Sequence, residues 1–367
     1  MTEIELINIF NKSNSVLLIE PNYKRKYPPL GLMKISSYFK QQGKKVEFSR
    51  QAVNTDCDLL CVTTLFTYDY EIICNTLQQL SFWNPNKLII IGGVAASVNP
   101  NKFTGIISNS VVFTGYSNIL DQCKIDYNTN FDVDEQWNHY SYLFTTRGCP
   151  NSCAYCFVPK IEKNKGIIPN WEQNINVERK NVMIFDNNIT AYGSEHVMNV
   201  ATYCKQNKLK IRLDNAIDCK YIDNDMANAL AKMPIEKRGY RTAFDRIKED
   251  GIFQESVKLL IKSGISKYNI MAYVLFNFND TPKEADYRAR ECAKLGITPY
   301  PACFKPLNAF SRSKKYISPK WTMRLTTAFM HFWLYGTIYL KNDFVTYAKN
   351  EGRERYKLTD EDFEKWI

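Results

Sequence analysis

Three cysteines at CxxxCxxC spacing, Cys149, Cys153 and Cys156, constrain this chain more than any other feature of its sequence. Structural zinc is ordinarily held by four protein ligands, and each iron of a four-iron, four-sulfur cluster needs its own thiolate or a substitute. A triad therefore leaves one iron open for a small molecule. Gly148 and Pro150 bend the chain as it leaves an apolar, strand-like run at 142–146, so the three sulfurs can converge from one loop. The spacing reads as a loop built to wrap a cluster. The alternative is a zinc knuckle completed by His139 or a distant thiol, which no second CxxC or HxxxH supports. The other cysteines, Cys57, Cys61, Cys74, Cys123, Cys204, Cys219, Cys292 and Cys303, show no repeat and read mostly as buried small hydrophobes.

Tyr155, the aromatic before the last cysteine, completes a CxxxCxΦC signature. With it the motif resembles that of the radical S-adenosylmethionine superfamily. The resemblance implies a 4Fe-4S cluster on Cys149, Cys153 and Cys156, whose open iron is chelated by the amino and carboxylate groups of S-adenosylmethionine. One electron from the cluster then cleaves the sulfur–C5′ bond and gives a 5′-deoxyadenosyl radical. It also implies a reducing electron donor such as flavodoxin or ferredoxin. A cluster of this kind needs a reducing compartment and no signal peptide opens the chain, so a cytoplasmic location without disulfides is expected.

The 367 residues suggest two or three domains, and 45% hydrophobic residues suffice for packed cores. Short apolar runs at 16–19, 46–48, 59–64, 88–91 and 111–113 alternate with helix-length stretches, the pattern of a doubly wound parallel sheet. The Pro28-Pro29-Leu30-Gly31 entry to the first helix after a strand, the Gly92-Gly93 strand end and Gly115 resemble a cobalamin-binding-like domain. That resemblance could bring in cobalamin, but the DxHxxG loop that supplies an imidazole to cobalt is absent, and no histidine precedes His139. The other reading of this region is a scaffold that covers the substrate. A polar stretch at 121–139 reads as a linker, and strand candidates return at 182–185, 211–213, 240–244, 270–275 and 299–304. The expected class is α/β: a Rossmann- or flavodoxin-like sheet over 1–125, a linker at 126–138, a partial (β/α)6 radical-SAM barrel over 139–310, and a helical C-terminal region at 311–367.

In barrels of this type, function gathers where strands end. Asp186, Asn187 and Asn188 follow the second barrel strand, at the place where the superfamily carries a Gly-Gly-Glu-like segment for the amino group of S-adenosylmethionine. The bland reading is that they cap a helix or form a turn. Asp214 follows the third strand and could accept ribose hydroxyls. Arg241 and Asp245 flank the fourth; the guanidinium could hold the methionine carboxylate bidentately, or the two could form a structural ion pair. The cofactor-binding set is therefore Tyr155, Asp186, Asn187, Asn188, Asp214, Arg241 and Asp245. His139, His196 and His331 lack partners at metal-ligand spacing and read as structural.

The uncharged aromatic run at 325–340 falls short of the ~18 to 20 apolar residues of a membrane span and reads as a packed helix, so no membrane partner is expected. A net charge of +10 and basic residues interleaved with aromatics make nucleic acid one candidate partner, although such runs are more often a solvated face. The substrate is open. Cobalamin-dependent methylation and a methylthiotransferase-like modification of nucleic acid are both candidates for the final step. A non-enzymatic, metal-binding regulator of nucleic acid is the reading from outside enzymology.

Overall fold

Alternation within the short apolar runs determines how the first half of the chain is layered. Successive strand residues point to opposite faces, so a run apolar at every position needs cover on both sides. The computed structural model describes residues 1–163, 166–213, 217–311 and 316–366. Its first elements are α1 (Glu3–Lys12), β1 (Ser15–Ile19), α2 (Leu30–Gln41), β2 (Lys45–Ser49), β3 (Leu59–Thr64), α3 (Tyr70–Trp83), β4 (Leu88–Gly93), α4 (Val94–Val98), β5 (Ser110–Val112) and α5 (Asn118–Asp121). The five strands are all parallel, in the order β2-β1-β3-β4-β5. Val16 and Leu18 join Phe10 and Phe39 of the α1/α2 layer, while Leu17 and Ile19 join Ile73, Leu77 and Leu80 of α3 on the other face.

The second half repeats the strand–helix alternation. It runs β6 (Tyr140–Leu143), β7 (Thr146–Arg147), α6 (Val158–Ile161), β8 (Gly166–Ile167), β9 (Asn181–Ile184), α7 (Ser194–Gln206) and β10 (Lys210–Leu213). Then follow α8 (Asn224–Lys232), β11 (Tyr240–Ala243), α9 (Ile252–Lys262), β12 (Ile270–Phe276), α10 (Pro282–Lys294), β13 (Thr298–Cys303) and, in the C-terminal region, α11 (Met323–Leu334). Two parallel three-stranded sheets result, β10-β9-β6 and β11-β12-β13, joined by isolated parallel bridges Ile211↔Ile235 and Ile217↔Thr242. Buried Val182, Ile211, Ala272 and Val274 pack with Val200, Leu230, Phe253 and Ala289 of the surrounding helices.

Three stretches differ from the sequence expectation. The strand-like run at 142–146 breaks at Leu143, because the Asp186 carboxylate takes the Thr145 and Thr146 amides that a longer strand would offer to a neighbour. The polar stretch at 121–139 is pinned down: Ile125, Phe131 and Trp137 are buried, Ser36 donates to Asp126, and Arg50 donates to the Phe131 and Asp132 carbonyls. The run at 325–340 forms α11 only to Leu334, where Tyr335 is extended and Gly336 starts a separate short helix. Among the described residues no helix is long and apolar enough to cross a membrane.

Candidate functional site

The cysteine loop leaves the C-terminal end of β6 and is closed at its base by the β7–β8 ribbon, with Thr146 opposite Ile167 and Arg147 opposite Gly166. Gly148 takes φ +70°, a left-handed turn that L side chains rarely adopt, and so starts the loop. Its amide donates to Glu162 Oε2 at 2.6 Å, while Tyr192 donates to the Arg147 and Gly148 carbonyls at 2.6 and 3.1 Å. Glu162 also receives Arg147 Nη1 at 3.0 Å and Asn187 Nδ2 at 2.8 Å, so one carboxylate ties both ends of the loop to the turn after β9.

Cys149, Cys153 and Cys156 are half-buried free thiols, and the Cys156 amide donates to the Cys153 carbonyl at 3.0 Å. Burial pushes the Cys156 thiol up, and the neighbouring Cys153, Cys149 and Asp245 push it further. Three thiolates so placed repel one another, and a cationic metal core relieves that repulsion. By donor chemistry the three cysteines suit a group that takes three thiolates from one loop, but their side chains do not stand converged on one point. Among the described residues, no group of three or more His, Cys, Asp or Glu side chains is gathered closely enough to hold a metal ion. The remaining cysteines follow expectation: Cys57, Cys61, Cys123, Cys204, Cys219 and Cys292 are buried, and Cys74 and Cys303 half-buried.

Later strand ends meet the loop. After β9, Asn188 is buried and its amide donates to Asp218 at 3.1 Å and approaches the Cys149 sulfur at 3.7 Å. Asp218, beyond β10, also receives Asn151 Nδ2 at 2.5 Å. After β11, Asp245 receives the Tyr155 hydroxyl and the Leu275 amide, both at 3.0 Å, and burial raises its pKa to about 6. Burial and the Asp245 charge in turn push the Tyr155 phenol well above its ordinary value. Arg241 donates to the Tyr273 hydroxyl at 3.1 Å.

Asp186 lies beneath this mouth. Its carboxylate accepts the Thr145 and Thr146 amides at 2.6 and 3.1 Å and the Thr145 hydroxyl, and burial raises its pKa to about 6 against those donors. It is a positioning residue for the strand exit. Thr145 Oγ1 is also 2.8 Å from His196 Nε2, which gives that histidine the structural role expected of it; His331 Nδ1 is likewise 3.1 Å from the Tyr347 hydroxyl. Asp214 lies outside the described residues. Of the seven sequence candidates, Tyr155 lies on the cysteine loop, Asn188 and Asp245 bond to it directly, Asn187 reaches it through Glu162, Asp186 braces the strand that leads to it, and Arg241 bonds Tyr273 of β12 instead.

No family model matches this chain, and a search of curated proteins finds no match.

Sequence reasoning missed Glu162, Asp218 and the Arg147 cluster. Arg147 grips Asp121 bidentately at 2.8 and 2.6 Å, and Lys34 of α2 adds a third bond at 2.8 Å, linking the first sheet's helix to the loop. Arg147 sits 3.6 Å over the Phe144 ring. Only a short-range signal existed for Glu162, a carboxylate six residues past Cys156.

The glycine signals at the first sheet have a local cause. Gly93 has φ +99°, and a Cβ there would lie 2.4 Å from the Thr64 carbonyl oxygen, so the close approach is between β3 and β4. A cavity of about 180 Å³ opens beside it, with the already paired Lys34, Asp121 and Arg147 in its lining. That is below the ~300 Å³ of a typical small-molecule site, and no imidazole lines it. These residues do not fit a corrin.

Proposed function

We propose that this chain is a radical S-adenosylmethionine enzyme, with Cys149, Cys153 and Cys156 as ligands of a 4Fe-4S cluster and a partial barrel formed by β6, β9, β10, β11, β12 and β13. One observation carries the reading. Three unlinked thiols emerge on one loop from the end of a parallel strand, and Asn188, Asp218 and Asp245 come to that loop from the ends of three later strands. When bound, the cluster supplies one electron to S-adenosylmethionine, whose sulfur–C5′ bond then breaks to give a 5′-deoxyadenosyl radical.

The protein's own groups orient and shield. Glu162 fixes the loop entrance through the Gly148 amide. Asn188 directs an amide toward the Cys149 sulfur, a weak bond that orients it. Asp245 holds the Tyr155 ring across the loop by its hydroxyl. Arg241, whose guanidinium lies on β11, is the cation we assign to the methionine carboxylate, a pairing that suits the planar fork of arginine. An outside one-electron donor of the flavodoxin or ferredoxin class completes the scheme.

The test is anaerobic reconstitution of the full chain with iron and sulfide, addition of dithionite and S-adenosylmethionine, and assay for 5′-deoxyadenosine. Formation of 5′-deoxyadenosine that disappears in Cys149→Ala, Cys153→Ala and Cys156→Ala is the expected result. A chain that binds four-coordinate zinc and releases no 5′-deoxyadenosine overturns the reading.

A further inference from the structure

We propose that a cavity of about 610 Å³ beyond the end of β13 binds a small molecule with a flat apolar body and one anionic group, the substrate class of the reaction proposed above. That the molecule is the substrate rests on the radical reading; that the cavity takes such a molecule does not.

The size falls in the ~300–1,000 Å³ range of ligand sites. The walls come from Phe304 after β13, from Tyr316, and from Met323, Met330 and Leu334 of α11. Tyr316, Met323, Leu334 and Tyr335 are 38%, 41%, 44% and 54% exposed, so four large apolar side chains remain uncovered around one hollow. Scattered singly they would need no explanation, but gathered on one cavity they mark a surface with an occupant.

The charge on the lining has one sign. Among the described residues of the lining, Lys305 and Arg355 stand there and no carboxylate does. The Lys305 ammonium lies 4.9 Å over the Tyr68 ring and the Arg355 guanidinium 5.7 Å over the Tyr356 ring. Among the described residues neither makes a salt bridge, so both cations are available to an anion. A series of ring contacts links the cavity wall to the cysteine loop through Phe278, which is not itself in the lining. Tyr155 meets Phe278 at 5.7 Å, Phe278 meets Phe304 at 4.6 Å, and Phe304 meets Tyr316 at 5.6 Å, the last two being cavity walls.

The test titrates the full chain, followed by fluorescence, with two probes: anilinonaphthalene sulfonate, an aromatic body with one anionic group, and uncharged phenylnaphthylamine. Saturation of a single site by both is expected. The double variant Lys305→Ala/Arg355→Ala should weaken the sulfonate by about fivefold, as expected for two rim charges, and leave the uncharged probe unchanged. Thr327→Trp fills the cavity from the exposed side of α11 and should remove both probes with the circular dichroism unchanged. Sulfonate binding that is equal in the double variant, or probe binding that survives Thr327→Trp, overturns the proposal. A chain that makes no 5′-deoxyadenosine yet binds the probes as described upholds the cavity and overturns only the radical reading.

Discussion

The residues around the cysteine loop divide into those that would touch a cluster and those that hold the loop for it. Glu162 belongs to the second group. It accepts from Gly148, Asn187 and Arg147, so Glu162→Gln keeps the shape and exchanges an acceptor oxygen for a donor. Supporting residues of metal ligands typically contribute 10–100-fold to affinity, and we expect this variant to lose iron about tenfold faster to a chelator, with native circular dichroism. Tyr155→Phe tests the neighbouring lock. It leaves the buried Asp245 carboxylate with one donor fewer and should lower stability by about 1–3 kcal/mol in urea titration. That the three cysteines share one loop could be read from spacing, because three cysteines within eight residues are a local feature. Asp218 could not, since Asn151 and Asn188 reach it only once strands far apart in the chain are side by side.

At the scale of elements, the first sheet depends on close backbone contact and on a buried ion cluster. Gly93 stands at φ +99° against the Thr64 backbone, so Gly93→Ala should cost about 3 kcal/mol, measured by chemical unfolding. Gly264, at φ +101° with nothing within 4 Å of the point a Cβ would occupy, shares the strain without the collision, and its alanine variant should cost less. Asp121 joins α5 to α2 and to the cysteine loop. Burial pulls its carboxyl up, but the Arg147 bonds and Lys34 outweigh that and hold it at about 2, against an ordinary value of 3.8. A carboxyl lowered by folding stabilises the protein above its unfolded pKa and loses that contribution as pH falls through the folded value. Stability should therefore drop by about 2 kcal/mol between pH ~4 and ~2 from this group, and Asp121→Asn should be less stable at neutral pH and flatter across that window. Strand positions were legible because short continuous apolar runs between helix-length stretches are a local property. The break at Leu143 was not, because it follows from a carboxylate 41 positions away from Thr145 that competes for the strand's amides.

Across the whole molecule, the two halves share a core. Tyr140, Tyr142 and Met183 of the second half, with Trp137 of the stretch between, belong to the same buried cluster as Leu6, Phe10, Val16 and Ile90 of the first. The two halves should thus unfold in one transition, with far-ultraviolet and tryptophan signals coincident; Tyr142→Ala, at a fully buried site, should cost about 3–5 kcal/mol and shift both signals together. Two separate transitions would contradict a shared core. By itself the sequence determined the alternation of strands and helices, the parallel α/β class and the cysteine spacing, all of which rest on neighbours within a few residues. Only the tertiary structure decided that the polar stretch at 121–139 is packed rather than free, that Asp186 braces a strand exit, and that an aromatic hollow forms between the end of β13 and α11. Each of these depends on groups far apart in the chain, whose burial and hydrogen bonds exist only when the layers close.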